Sequence, residues 1–146
     1  MRLFTLLFLL ITLGSSATIN KSTYFSVFES HSISRIEAQI VSIKKEKAST
    51  DKDAFLGAMI MKKAQFMKTP KEKIAVFKEG KMLLENAIRK RPGKTTYRFL
   101  RLAIQENCPK ILKYNTKIEE DKKNVMQNLS SLDNATKTAV VSYFKK

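Results

Sequence analysis

One cysteine and one histidine stand in this sequence of 146 residues, and each scarcity removes a class of chemistry. Cys108 alone cannot close an internal disulfide, so the fold must rest on core packing. His31 alone cannot build a zinc cluster or a catalytic triad with a second histidine. Four glycines and three prolines leave few interruptions to regular structure. Nowhere do Val, Ile and Thr alternate with polar residues long enough to suggest a sheet. Acidic residues are scarce too, 13 against 28 Lys and Arg, for a formal net charge of +15. After the N-terminal segment, no apolar run approaches the roughly 20 residues of a bilayer span.

What is present begins with "MRLFTLLFLLITLGSSA" (1–17), which reads as a secretory signal peptide. Arg2 supplies the positive start and Leu3 to Leu13 the apolar stretch. Ser15 and Ala17 are the small residues a signal peptidase requires. An uncleaved N-terminal anchor is the other reading, and the apolar run is short for it. No cysteine follows that run, which argues against a lipoprotein anchor. Residues 18–146 would form one domain of 129 residues carrying a charge of +14, long enough for a real core. The expected location is outside the cytoplasm, in the periplasm.

That charge permits attraction to an anionic lipid surface, an acidic glycan or a nucleic acid. Lysine, however, outnumbers arginine 22 to 6. The lysine pairs 44–45, 62–63, 122–123 and 145–146 fall in separate segments. Scattered lysines suit a solvated exterior better than a phosphate-reading surface, where arginine forks are favoured. Nucleic acid is therefore not an expected partner.

The chain after residue 17 reads as helix throughout. A short helix near 22–30 carries Tyr24, Phe25 and Phe28. Ser32 can cap a second, with Ile33, Ile36, Ile40 and Ile43 as an apolar stripe. A third is expected over 52–67, capped by Thr50 or Asp51. Thr69 and Pro70 open a fourth, which Pro92-Gly93 ends. A threonine cap then starts a fifth over 95–107, and a short turn, "PKILKY", follows. A sixth is expected over 116–131, and Asp133 caps a last one ending near Phe144. The fold class is thus all-α: irregular stacked helical hairpins in a single domain. Gly80, Leu84, Ala87 and Pro92 have the spacing of the second helix of a tetratricopeptide hairpin. Its first helix fits only if the "KTPKEK" turn carries about four extra residues, placing Ala64 at the small-residue position. No second copy follows.

The candidate motifs are few. "PGKTT" (92–96) lacks the glycine a phosphate-binding loop needs at position 88, which is Ile, and it follows a helix. His31 lies at a helix junction between two serines, where capping or exposure is expected. Cys108 sits before Pro109 in an apolar setting, which favours a buried, inert thiol. Glu119, Glu120 and Asp121 are consecutive, so on a helix they fan out at about 100° intervals instead of converging on a metal. Asn20, Asn128 and Asn134 match glycosylation sequons, which matter only in a eukaryotic secretory pathway.

The densest stretch is "TTYRFLRLAIQENCPKILKY" (95–114). Phe99, Leu100, Ala103 and Ile104 share one face, while Arg98, Arg101 and Gln105 form a stripe at i, i+3 and i+7. Two arginines on a largely buried helix need partners, because an unpaired buried charge costs several kcal/mol. Glu79, Glu85, Glu106 and the acids at 119–121 are available. The stripe is either an ion-pair network that sets packing register or an anion-binding groove.

Four stretches together resemble a known family. "FLGAMIMKKA" (55–64), "KIAVFKEGKMLLENAIRKRP" (73–92), "RFLRLAIQENCPKILKY" (98–114) and "NTKIEEDKKNVM" (115–126) are similar to the pattern of exported, uncharacterised proteins of the Bacteroidetes. The marker in that pattern is "RFLRLSIQENAPK-x-LGY" followed by "NIEEDKKFI", and the likeness spans roughly residues 24–130. This chain departs from it at Lys94 and Thr96, where the pattern has Asn and Glu. It departs again at Cys108 and Lys113, where the pattern has Ala and Gly. If that glutamate helps hold an arginine, the contact is lost here. The resemblance implies an all-helical exported protein and carries no activity.

The expected function is non-enzymatic: a helical binding or scaffolding protein for a protein or peptide partner, with no cofactor and no metal. The alternative is a basic protein that binds an anionic ligand, lipid headgroup or acidic glycan at a membrane surface or elsewhere.

Overall fold

Local hydrogen bonds place most of the helix boundaries in the computed structural model, which describes residues 18–146. The expected signal peptide lies outside the described residues. Among the described residues there are seven α-helices and three short 3-10 turns, and no strand occurs. The protein is all-α.

Helix α1 (Lys21–Glu29) starts at Asn20, whose side chain accepts from the Thr23 amide at 3.0 Å. Helix α2 (Ile33–Lys45) starts at Ser32 as expected and buries Ile36, Ile40 and Ile43. The cap of α3 (Thr50–Lys63) is Ser49 instead of Thr50 or Asp51; its hydroxyl accepts from the Lys52 amide at 3.0 Å. The ammonium of Lys52 turns back to donate to the carbonyls of Lys44 and Glu46, closing the end of α2. Helix α4 (Pro70–Lys90) opens with a complete capping box between Thr69 and Glu72, which satisfies two otherwise orphaned donors. Helix α7 (Asn134–Phe144) is capped by Asp133.

Two further expectations fail, each for a local reason. Helix α5 (Thr95–Asn107) has no side-chain cap: Lys94 holds the cap position, and Thr95 and Thr96 are buried inside the first turn. Helix α6 covers only Ile118–Gln127 and gives way to a 3-10 turn at Leu129–Ser131. At the break, the Asn128 side chain donates to the Asn124 carbonyl at 2.8 Å. Such side-chain bonding to the backbone competes with continued helix.

The centre of the core is α3, buried continuously from Ala54 to Met61. Tyr24, fully buried, donates its hydroxyl to the Phe55 carbonyl at 2.9 Å, and its ring meets Phe55 edge-on at 4.7 Å. Helices α3 and α4 form an antiparallel hairpin with backbones in contact. A Cβ added to Gly57 would lie 2.6 Å from the Gly80 carbonyl oxygen, and one added to Gly80 would lie 2.5 Å from that of Gly57. Gly80 therefore faces Gly57, about two helical turns before Ala64, so the close approach does not confirm the tetratricopeptide spacing. The hairpin is close-packed in a register of its own. Against this pair, α5 lays its apolar face, with Phe99, Leu100 and Leu102 buried.

Candidate functional site

The polar stripe of α5 faces α6 and ends on one carboxylate. Asp121 is fully buried. It accepts from Arg101 Nε at 2.6 Å, Arg101 Nη2 at 2.7 Å, Gln105 Nε2 at 3.0 Å and Arg98 Nη1 at 3.2 Å. The Arg101 contact is a two-pronged fork, the geometry that suits a planar guanidinium on a planar carboxylate. Arg98, which is more exposed, also donates to Glu120 at 2.7 Å. Its partners come from α6, so the pairing does not depend on a glutamate at position 96.

The network reaches two further elements. Arg101 Nη1 donates to Glu85 of α4 at 3.1 Å, and the other Glu85 oxygen accepts from the Tyr114 hydroxyl at 2.5 Å. Gln105 turns its carbonyl oxygen to the Lys117 amide at 2.9 Å, tying down the entry to α6. Burial alone would weaken the proton on Arg101, but hydrogen bonding and charge from Asp121, with Glu85 behind them, hold its pKa above the ordinary value. Burial and the Glu85 carboxylate push the Tyr114 phenol up. Hydrogen bonds from Lys117 and Arg98 hold the Glu120 carboxyl down at about 2. Arg98, Arg101 and Gln105 thus meet carboxylates of neighbouring helices, and none of the three lines the cleft on the other side of α5. Of the three consecutive acids, Asp121 turns fully inward, Glu120 reaches Arg98 and Glu119 points to solvent.

The opposite side of α5 is different. There, Ala103, Ile104 and Cys108 form one wall of a cleft of about 350 Å³. Phe28 of α1, Met61 of α3 and Phe77 of α4 supply other apolar surface. Three lysines, Lys62, Lys73 and Lys146, also line it, against one glutamate, Glu29. The Lys62 ammonium lies 5.7 Å above the Phe28 ring, and Lys146 pairs with Glu29 at 3.4 Å. Burial and the nearby charge of Lys146 lower the Lys62 pKa, with Glu29 opposing them. Volume and lining match small-ligand sites, which occupy roughly 300–1,000 Å³ and are mostly apolar with a few placed polar groups.

Cys108 and His31 both line this cleft, but no hydrogen bond joins them. The thiol points to the carbonyls of Gln105 and Tyr114, at 3.6 and 3.4 Å. Burial raises its pKa, which disfavours the nucleophilic thiolate. Among the described residues, no group of three or more His, Cys, Asp or Glu side chains is placed to hold a metal ion. No described helix is long and apolar enough to cross a membrane.

Sequence reasoning located the stripe but not its hub, since Asp121 was one of six candidate acids. It missed Tyr114, whose only signal is its place at the end of "PKILKY". It missed the cleft entirely, because the lining comes from separate helices and leaves no linear pattern. Comparison with protein-family models, with curated proteins and with solved structures finds no match to this chain.

Proposed function

We propose that this is an exported, non-enzymatic helical binding protein, and that the cleft between α1, α3, α4 and α5 is its binding surface. The observation that carries the reading is an open, mostly apolar cavity of about 350 Å³ lined by α1, α3, α4, α5 and the end of α7. Apolar surface left uncovered in this way usually awaits a partner. The Arg98–Arg101–Gln105 stripe is then the internal brace that holds α5, and with it one wall of the cleft, against α4 and α6. Between a peptide partner and an anionic ligand, the three lysines at the cleft favour the anionic ligand.

The test uses the single cysteine. Mature protein incubated with an extract of its host's cell envelope, then examined by native mass spectrometry, should carry an added ligand mass. Capping Cys108 with a bulky maleimide fills the cleft and should abolish that mass. A Cys108→Ala variant treated with the same reagent should keep it. A ligand that stays bound after Cys108 is capped would put binding elsewhere and sink the reading.

A further inference from the structure

Lys62 and Lys146 lie 84 positions apart in sequence, yet both line the cleft, the Lys62 ammonium over the Phe28 ring and the Lys146 ammonium paired with the adjacent Glu29. Glu29 is the one acid of the lining, and Lys73 lines the same cavity, so its side chains carry a net charge of +2 when His31 is neutral. Cations bordering an apolar hollow are poorly matched to neutral contents and well matched to an anion with an apolar body. Three of the polar wall groups are already engaged. Asn107 donates to the Ala103 carbonyl at 2.8 Å, Cys108 points to the carbonyls of Gln105 and Tyr114, and Tyr143 donates to Glu106. A peptide backbone, whose every N–H and C=O needs a partner when buried, would find few here; an aliphatic chain needs none. The volume is at the small end of the ligand-site range, suited to one chain and not to a two-chain lipid.

We infer that the cleft binds a medium-chain fatty acid, with its carboxylate on Lys62 and Lys146 and its chain along Met61, Phe77, Ile104 and Leu112. This rests on the reading of the cleft as the binding surface. Charge-assisted hydrogen bonds from the two ammonium groups fix the head, and burial of each methylene raises affinity about fourfold.

The test measures how fast a neutral maleimide alkylates Cys108 in the mature protein, alongside calorimetric titration. Dodecanoate should slow alkylation at least about tenfold, and its Kd should rise with salt because the head contact is ionic. Octanoate should bind at least about tenfold more weakly, from the loss of methylenes. Dodecyltrimethylammonium, with the same chain and the opposite charge, should not protect. Lys62→Gln combined with Lys146→Gln should weaken dodecanoate about tenfold or more, leave decan-1-ol unchanged, and keep the native circular dichroism. If the cationic amphiphile protects as well as dodecanoate, or the double variant binds dodecanoate normally, the acid-binding inference falls while the cleft remains a binding surface. Protection by an acidic peptide but not by dodecanoate also overturns it. If neither an amphiphile of any charge nor the acidic peptide protects Cys108, the cleft is not the binding surface and both readings fall together.

Discussion

Between α3 and α4 the contact is one of shape: Gly57 and Gly80 let two backbones meet where a single Cβ would intrude to within 2.5–2.6 Å of a carbonyl oxygen. Between α5 and α6 the contact is one of charge: two arginines and a glutamine converge on the buried Asp121. The first interface depends on atoms being absent, so it tolerates no enlargement. The second depends on every member being present, because removing one leaves its partners charged and dry. They also differ in finish. Helix α4 starts with a full capping box, whereas α5 starts without a side-chain cap. The turn between α5 and α6 holds Lys113 at φ 46° and ψ 40°, left-handed backbone that a residue with a Cβ adopts at a cost. Shape and charge can thus each hold a helix pair, and here the charged side also carries the local backbone defects.

Breaking the charged interface should have the largest effect. Asp121→Ala strands Arg101 in the interior and should cost about 3–5 kcal/mol of unfolding free energy in urea titration; a loss under about 1 kcal/mol would mean that the arginines are not held by this carboxylate. Gly57→Ala should cost about 1–3 kcal/mol by forcing α3 and α4 apart. Gly93→Ala is the control, since nothing lies within 4 Å of its added Cβ and its φ is not positive. An equal loss at both glycines would refute the shape argument.

Repairing the defects should move stability the other way. Lys94→Asn supplies the missing acceptor at the start of α5 and should add about 1 kcal/mol; hydrogen exchange should slow at the first amides of that helix. Lys113→Gly relieves the left-handed backbone, partly offset by the greater freedom of glycine when unfolded, and should add somewhat under about 1 kcal/mol. The smallest effect is set by acid. The Glu120 carboxyl is held down to about 2 from 4.5, so its contribution is present above pH 4.5 and is lost as pH falls through about 2. The first amides of α6, where Glu120 sits, should lose protection in that window before the buried middle of α3, Ala54 to Met61, which carries no carboxylate; simultaneous loss would contradict the contrast.

The legible parts of the fold were those written within a few residues of each other. Ser32, Thr69 and Asp133 announce helix starts because a side chain reaches only two or three amides along. Ile36, Ile40 and Ile43 announce a buried face because helical periodicity lines them up. Even locally, competition blurred the reading: Ser49 won the cap from Thr50 and Asp51, and Asn128 ended α6 early through its bond to Asn124. The arginine stripe was visible from its spacing. Its partner was not, since which of the acids at 119–121 faces α5 depends on how α6 is rotated about its own axis.

By itself, then, the sequence determined the helical class, most helix boundaries, the apolar faces and the need of Arg98 and Arg101 for acidic partners. All of these follow from hydrogen bonds and periodicities that act over one or two turns. Tertiary structure alone decided that Gly57, and not Ala64, meets Gly80, that Asp121 is the hub, and that Lys62 and Lys146 flank one apolar cleft. Those outcomes depend on helix crossing and rotation, which are set by packing of the whole core at once and leave no trace in the spacing of any single segment.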